Sequence, residues 1–411
     1  MTQISQDFAP PFKLIAPYFI IGSIFYFLST LYSFNLDISE ISIHSTNLLS
    51  LAHLFLLGFA MMVIFGAMAQ LIPVTLEVGH FSVEFYYLIY PFLLIGTILM
   101  VLGFSVNSTL LQYGGILVFI SMIIFLAETF LTINKVKQYS NVIKSIVVSN
   151  IFLTLGIIFG IIMALTYAGQ INTNIEEILK AHVYSVILGY ITITIMALSL
   201  VLIPMFGLSH NFSQKPLNNA VILMSISTTF VIISSIFSIA IIDKLAYLLS
   251  VVSLAIYFYQ VYLIFKTRAR KENDIYVLSL FVAFIAFVLS IITGFLWIFI
   301  GNERLLITTA WLMFCGFFTF VIIGHLYKII PFLVWFEKFS PLVGKQKVPM
   351  LMDMVPKKAS YYQFTFTLLG TIVSTFGLIL AENSLFKAGI SFLAIGAIFL
   401  INNIIYIIRY K

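Results

Sequence analysis

"HLFLLGFAMMVIFGAMAQLIPV" (His53–Val74), "AHVYSVILGYITITIMALSLVLIPMF" (Ala181–Phe206) and the run that ends in "GHLYKIIPFL" (Gly324–Leu333) decide how this chain folds. Each closes on Ile-Pro: Ile72-Pro73, Ile203-Pro204 and Ile330-Pro331. Fifteen residues before each proline stands a glycine followed by an aromatic: Gly58-Phe59, Gly189-Tyr190 and Gly316-Phe317. The prolines are 131 and 127 residues apart, room for four spanning helices each time. Self-similarity at a fixed period marks a repeated structural unit. Glycine lets neighbouring helices approach closely, and a late proline predicts that each helix ends near it.

The composition says what surrounds these runs. The chain has 411 residues, 62% of them apolar, 16% aromatic and only 9% charged. Soluble domains carry about 25% charged residues, so this chain needs a bilayer as its solvent. Its net charge of +6 lies in short gaps between apolar runs, which argues against a nucleic-acid partner. The single cysteine, Cys315, rules out an intrachain disulfide and any cysteine cluster for zinc or iron–sulfur. The N-terminal "MTQISQDFAPPFK" lacks the basic start of a signal peptide and is expected to stay in the mature protein.

A spanning helix needs about 20 mostly apolar residues. Twelve runs qualify: 14–34, 46–74, 83–104, 109–133, 142–168, 177–206, 217–242, 245–267, 274–301, 304–336, 361–382 and 384–408. They are too long and too evenly apolar for the alternating strands of a membrane barrel. The expected fold is therefore all-α and polytopic, a single transmembrane domain over 1–411 with approximate repeats at 14–133, 142–267 and 274–408. The three Gly-aromatic runs are then the second, sixth and tenth helices.

Twelve spans place both termini on one side. That side holds 17 of the 21 lysines and arginines; only Lys180, Lys244, Arg304 and Lys387 fall on the other. Positive residues mark the cytoplasmic face, so both termini are expected to be cytoplasmic, in a bacterial inner membrane. The longest loop, "EKFSPLVGKQKVPMLMDMVPKKAS", alternates Met350, Met352 and Met354. Alternating thioethers can hold copper(I), but a basic loop lying on the membrane is the plainer reading.

Three groups of four helices, with membrane histidines on the second, sixth and tenth, resemble one known family. The quoted segments, with "GHLYKIIPFLVWFEKFSPLVGKQKVP", are similar to the catalytic subunits of heme-copper oxidases and nitric oxide reductases, and to heme- and copper-containing membrane proteins of the nitric oxide response. That resemblance implies three arcs of four helices, with heme and copper ligands on the inner helices. Here those helices carry His53, His182 and His325. The resemblance also implies a respiratory or electron-transfer partner.

The family pattern is incomplete in this chain. Four residues after His182 stands Val186, not tyrosine, and Tyr184 lies about 200° round the helix. Residues 217–242 hold no histidine, and the tenth run holds one where the family has two. A complete terminal oxidase is not expected. Depth constrains the rest. His53 and His182 lie 20 and 22 residues before their prolines, and His325 only 6. At 1.5 Å per residue the first two differ by about 3 Å in depth, while His53 and His325 differ by about 21 Å. His53 and His182 are the candidate metal ligands of a heme in the outer half of the membrane. His325 is a third cofactor-binding candidate that cannot share their iron.

The other readings stay open. A neutral histidine in a span can simply bond a neighbouring helix, although ionisable groups in a bilayer mark functional sites by default. His44, His80 and His210 fall in loops and are expected to be solvated. Glu128, about one turn from its helix end, reads as reaching the interface. Tyr184 and Trp311 share the repeat position of His53 and read as pocket lining or as belt aromatics. Heme binding for a redox or gas-ligand role, with copper as a second metal, competes with a transporter or metal-permeation protein and with an assembly factor for a respiratory complex. Catalytic residues, and whether the protein is an enzyme, are not legible.

Overall fold

A computed structural model describes residues 10–167 and 169–411, with the side chain of Ala240 left out. The N-terminal stretch expected to be retained lies mostly outside the described residues. Among the described residues there is no strand. Among them, twelve helices are long and apolar enough to cross a membrane. They are α1 (Phe12–Asn35), α2 (Thr46–Leu76), α3 (Phe85–Ser105), α4 (Thr109–Ile133), α5 (Asn141–Tyr167), α6 (Ile175–Gly207), α7 (Lys215–Phe237), α8 (Ile241–Lys266), α9 (Ile275–Ile300), α10 (Glu303–Lys338), α11 (Lys357–Leu380) and α12 (Asn383–Ile408). The chain is a multi-pass, all-helical membrane protein, and the expected count stands.

The helix ends have local causes. Asn174, Asp274 and Asn302 cap α6, α9 and α10 by accepting from backbone N–H groups of the first turn. α7 stops five residues before the sequence suggests, because Ser238 turns left-handed at φ 56°. Two of the three prolines lie within a turn of their helix ends, as expected, and the third lies two turns in. Pro73, Pro204 and Pro331 sit inside their helices, which run on to Leu76, Gly207 and Lys338. A proline removes one backbone donor without forcing a stop, and in α10 the helix continues for seven more residues.

The chain divides into two compact units. One contains Ile72–Ser82 and Met122–Glu272, and so all of α5–α8. Here a Cβ on Gly189 would sit 2.7 Å from the Phe152 side chain, and one on Gly156 would meet Val186 at 2.5 Å. Glycine is what lets α5 and α6 close to this distance. α7 and α8 are tied by hydroxyls: Ser227 donates to the Ala246 carbonyl and Ser253 to that of Ala220, both at 2.6 Å.

The other unit contains residues 10–71, Val83–Ser121 and Asn273–Lys411. Gly58 faces Phe25 of α1, and Gly316 faces Ala286 of α9. So in each candidate repeat the glycine receives a side chain from the helix before it. α11 and α12 pack closest: a Cβ on Gly389 would lie 2.3 Å from the Ser374 nitrogen, and one on Gly377 would lie 2.4 Å from that of Phe386. Polar side chains join α10 to this pair. Trp311 donates to Ser374 at 3.1 Å, Tyr327 to Gln363 at 3.3 Å, and Asn403 to Tyr327 at 2.8 Å.

At the opposite end of α10, Arg304 donates to the carbonyls of Ile38, Ser39 and Leu378. Beside it, the Ser39 hydroxyl and then the Asn383 amide hold the Asp37 carboxyl down at about 2. A depressed carboxyl stabilises the fold above its ordinary value of about 3.9 and loses that contribution as pH falls towards 2.

Two glycines test this packing. Gly389→Ala drives a methyl into the α11 backbone and is expected to destabilise by about 1–3 kcal/mol. Gly115→Ala, in α4, meets nothing within 4 Å and is expected to be neutral or to stabilise by about 0.5–1 kcal/mol. Thermal unfolding in detergent checks both, and equal midpoints for the two variants would contradict the close α11–α12 contact.

Candidate functional site

α2, α6 and α10 share a distortion that hydropathy does not reveal. Each contains a π-helical stretch: Leu54–Met61 in α2, Tyr184–Thr192 in α6 and Leu312–Phe318 in α10. The stretches begin 19, 20 and 19 residues before the prolines, and each encloses the Gly-aromatic pair. π-turns are rare and occur frequently at functional sites. In two helices a threonine five residues on donates to a carbonyl inside the stretch: Thr192 to Ile187 and Thr319 to Phe314, both at 2.9 Å. The third has Met61 at the matching position and no hydroxyl to offer.

His53 is the last residue before the first stretch. Its Nδ1 lies 2.8 Å from the Leu49 carbonyl, and its ring lies 4.9 Å from that of Phe104. Nearby, Phe25, Leu54, Ile98 and Val101 line an open apolar groove of about 370 Å³. His182 reaches across to α5, where its Nδ1 lies 2.8 Å from the Gly156 carbonyl. Gly160 leaves room for that ring, since a Cβ there would stand 3.3 Å from Cε1. His325 bonds Val321 through Nδ1 at 2.7 Å and meets Tyr276 edge-on at 5.1 Å. The same Tyr276 ring carries Lys328 above it, and Lys328 pairs with Asp274 at 2.5 Å.

A carbonyl can only accept, so Nδ1 of each ring carries the proton. In the neutral ring Nε2 then holds the lone pair. Metal-ligating histidines show the same arrangement, with the second nitrogen fixed on a carbonyl or carboxylate. His53 and His182 belong to different units. Among the described residues no three His, Cys, Asp or Glu side chains converge as a metal cage. The histidines are therefore weighed one by one as donors. Met350 and Met352 are exposed while Met354 is fully buried, so the three thioethers do not share one environment.

His44 and His210 are exposed, as expected, but His80 is not. Its side chain is wholly buried, and its Nδ1 lies 2.8 Å from Oε1 of Glu128, which is equally buried. Glu128 does not reach the interface. The same oxygen accepts from the Thr132 hydroxyl at 2.7 Å and from the Phe81 N–H at 3.2 Å. Lys135 closes the cluster by donating to the His80 carbonyl at 2.8 Å. His80 and Glu128 are 48 residues apart, so no local pattern pairs them. The signal available was Glu128 and Thr132 at i and i+4, which puts both on one face of α4.

A second polar cluster in the same unit joins Lys180 to Glu177 at 2.8 Å and to Asp243 at 2.5 Å. Tyr184 stacks on Tyr247 there at 5.5 Å, while Trp311 packs on Phe386 at 5.1 Å. No protein-family model matches the chain, and no curated protein sequence matches it.

The buried pair can be tested directly. His80→Leu withdraws one of the donors to a buried carboxylate, which is expected to cost about 1–3 kcal/mol. Adding Glu128→Leu is expected to cost less than the sum of the single changes. A double-mutant cycle on thermal unfolding measures the difference, and strict additivity would mean the two side chains do not interact.

Proposed function

We propose that this chain is a bacterial cytoplasmic-membrane protein, divergent from the heme-copper oxidases it resembles, that binds heme for a redox or gas-ligand role. His53 and His182 are the leading ligands. The observation that supports this reading is the shared setting of the intramembrane histidines. Each has its Nδ1 on a backbone carbonyl, which orients Nε2 as a neutral imidazole donor, a good ligand for iron. Bound heme would supply one-electron chemistry or a gas-binding iron. The protein's own contribution is to fix the tautomer and to keep an apolar surrounding that tunes the potential. Three groups of four helices, near 14–133, 142–267 and 274–408, are the proposed architecture, with copper as a second metal and a respiratory or electron-transfer partner.

The test is a reduced-minus-oxidised absorption spectrum of the purified protein. Wild type is expected to show heme, His53→Ala and His182→Ala to lose most of it, and His325→Ala to keep it. Wild type without heme or copper would put the transporter reading ahead. Heme lost only on changing His325 would place the site at the other depth.

Both termini and the loop after α10 are proposed to be cytoplasmic, because 17 of the 21 basic residues lie on that side. Reporter fusions after Lys338 and at the C-terminus are expected to report the cytoplasm. Activity of an external reporter at either position would reverse the orientation.

A further inference from the structure

The segment between α10 and α11 is short, fixed and oddly surfaced. Trp335 donates its indole N–H to the Pro349 carbonyl at 2.8 Å, and Met354 is fully buried. Lys338 donates to the carbonyls of Ile408 and Tyr410 at 3.0 Å, at the C-terminal end of α12. These contacts hold the segment at the ends of three membrane helices. Yet Val343, Met350 and Met352 are 55%, 73% and 46% exposed, and Leu351 joins them at 36%.

Around this apolar tip stand Lys345, Lys347, Lys357 and Lys358, all exposed. None of the four has an ion-pair partner among the described residues. The one acidic residue between them, Asp353, is exposed and accepts from the Met350 N–H, three residues back along the segment. Lys357 and Lys358 open α11, where the helix dipole disfavours positive charge. Helix stability therefore does not account for them.

We propose that this segment docks on anionic phospholipid headgroups, with Met350, Leu351 and Met352 dipping among the acyl chains. Apolar side chains flanked by lysines at the water–lipid boundary suit that setting, because the stems lie along lipid while the ammonium groups reach phosphate. An acidic soluble protein is a poorer match. The apolar tip is only a few residues wide, and both ends of the segment run straight into membrane spans. The proposal does not depend on heme binding.

The experiment places an environment-sensitive fluorophore at position 351 (Leu351→Cys in a Cys315→Ala background) in full-length protein. The protein is reconstituted in vesicles that mix phosphatidylcholine with phosphatidylglycerol, with bromine on the chains of one lipid or the other. Brominated phosphatidylglycerol is expected to quench at a several-fold lower membrane fraction than brominated phosphatidylcholine. Changing the four lysines to glutamine is expected to remove that several-fold preference. Changing them to arginine is expected to keep it. Equal quenching by both lipids in the parent, or an undiminished preference in the glutamine variant, would overturn the proposal. So would strong quenching by aqueous iodide in every vesicle, which would leave the tip as a protein-docking surface. Both lipids occupy both leaflets, so the result does not depend on which way the chain is inserted. An error in orientation would show in the reporter fusions instead.

Discussion

A polar group inside a bilayer has no water to return to, and most of this chain follows from that constraint. Backbone groups close on themselves as helix. Side-chain hydroxyls do nearly the same: Ser23 donates to Phe19, Ser29 to Phe25 and Thr308 to Arg304, each within its own helix. The membrane histidines obey the rule too, with Nδ1 on a carbonyl of their own helix or the next one. Where such bonds cross between helices they fix a register, as Ser227 and Ser253 do between α7 and α8. Apolar contact alone cannot, because lipid tails are as apolar as leucine.

Glycine supplies what hydrogen bonds do not, which is proximity. The Gly-aromatic pairs were first visible as a repeat in the text of the chain. They turn out to lie inside π-helical stretches at matching distances from their prolines. The two facts have one physical explanation. A π-turn is wider than an α-turn and would push a neighbouring helix away. A glycine in the turn takes in the side chain of the preceding helix, Phe25, Phe152 or Ala286, and the pair stays closed. The same local device thus recurs in three places with different side chains at its entrance: His53, Tyr184 and Trp311.

Helix count and class were legible because apolar length is a strong signal in lipid. The ends were less so. Ser238 breaks α7 through a left-handed conformation that hydropathy does not encode, and α10 runs seven residues past Pro331 because a proline near a helix end removes only one donor. His80 was read as solvated from its place in a loop, and Glu128 as reaching outward from its nearness to a helix end. Each is buried because the other is there. Sequence reasoning weighs residues singly, and a pair separated by 48 positions is invisible to it. The tautomers of the three histidines were equally out of reach, since they depend on which carbonyl lies within 3 Å.

The surroundings of His325 explain why only one of the three runs carries a histidine beside its proline. Asp274 does two things: it caps α9 and it pairs with Lys328 of α10. Tyr276, two residues along, lies under Lys328 and against the edge of His325. A half-buried ion pair adds little stability by itself, yet losing one partner is costly because the other charge is left behind. The pair therefore pins the start of α9 to α10, beside the Tyr276 ring that His325 meets edge-on. His53 has its own ring neighbour in Phe104, and His182 lies two residues from Lys180, which pairs with Glu177 and Asp243. A packing role accounts for His325, while the proposed ligation by His53 and His182 rests on their matched depth.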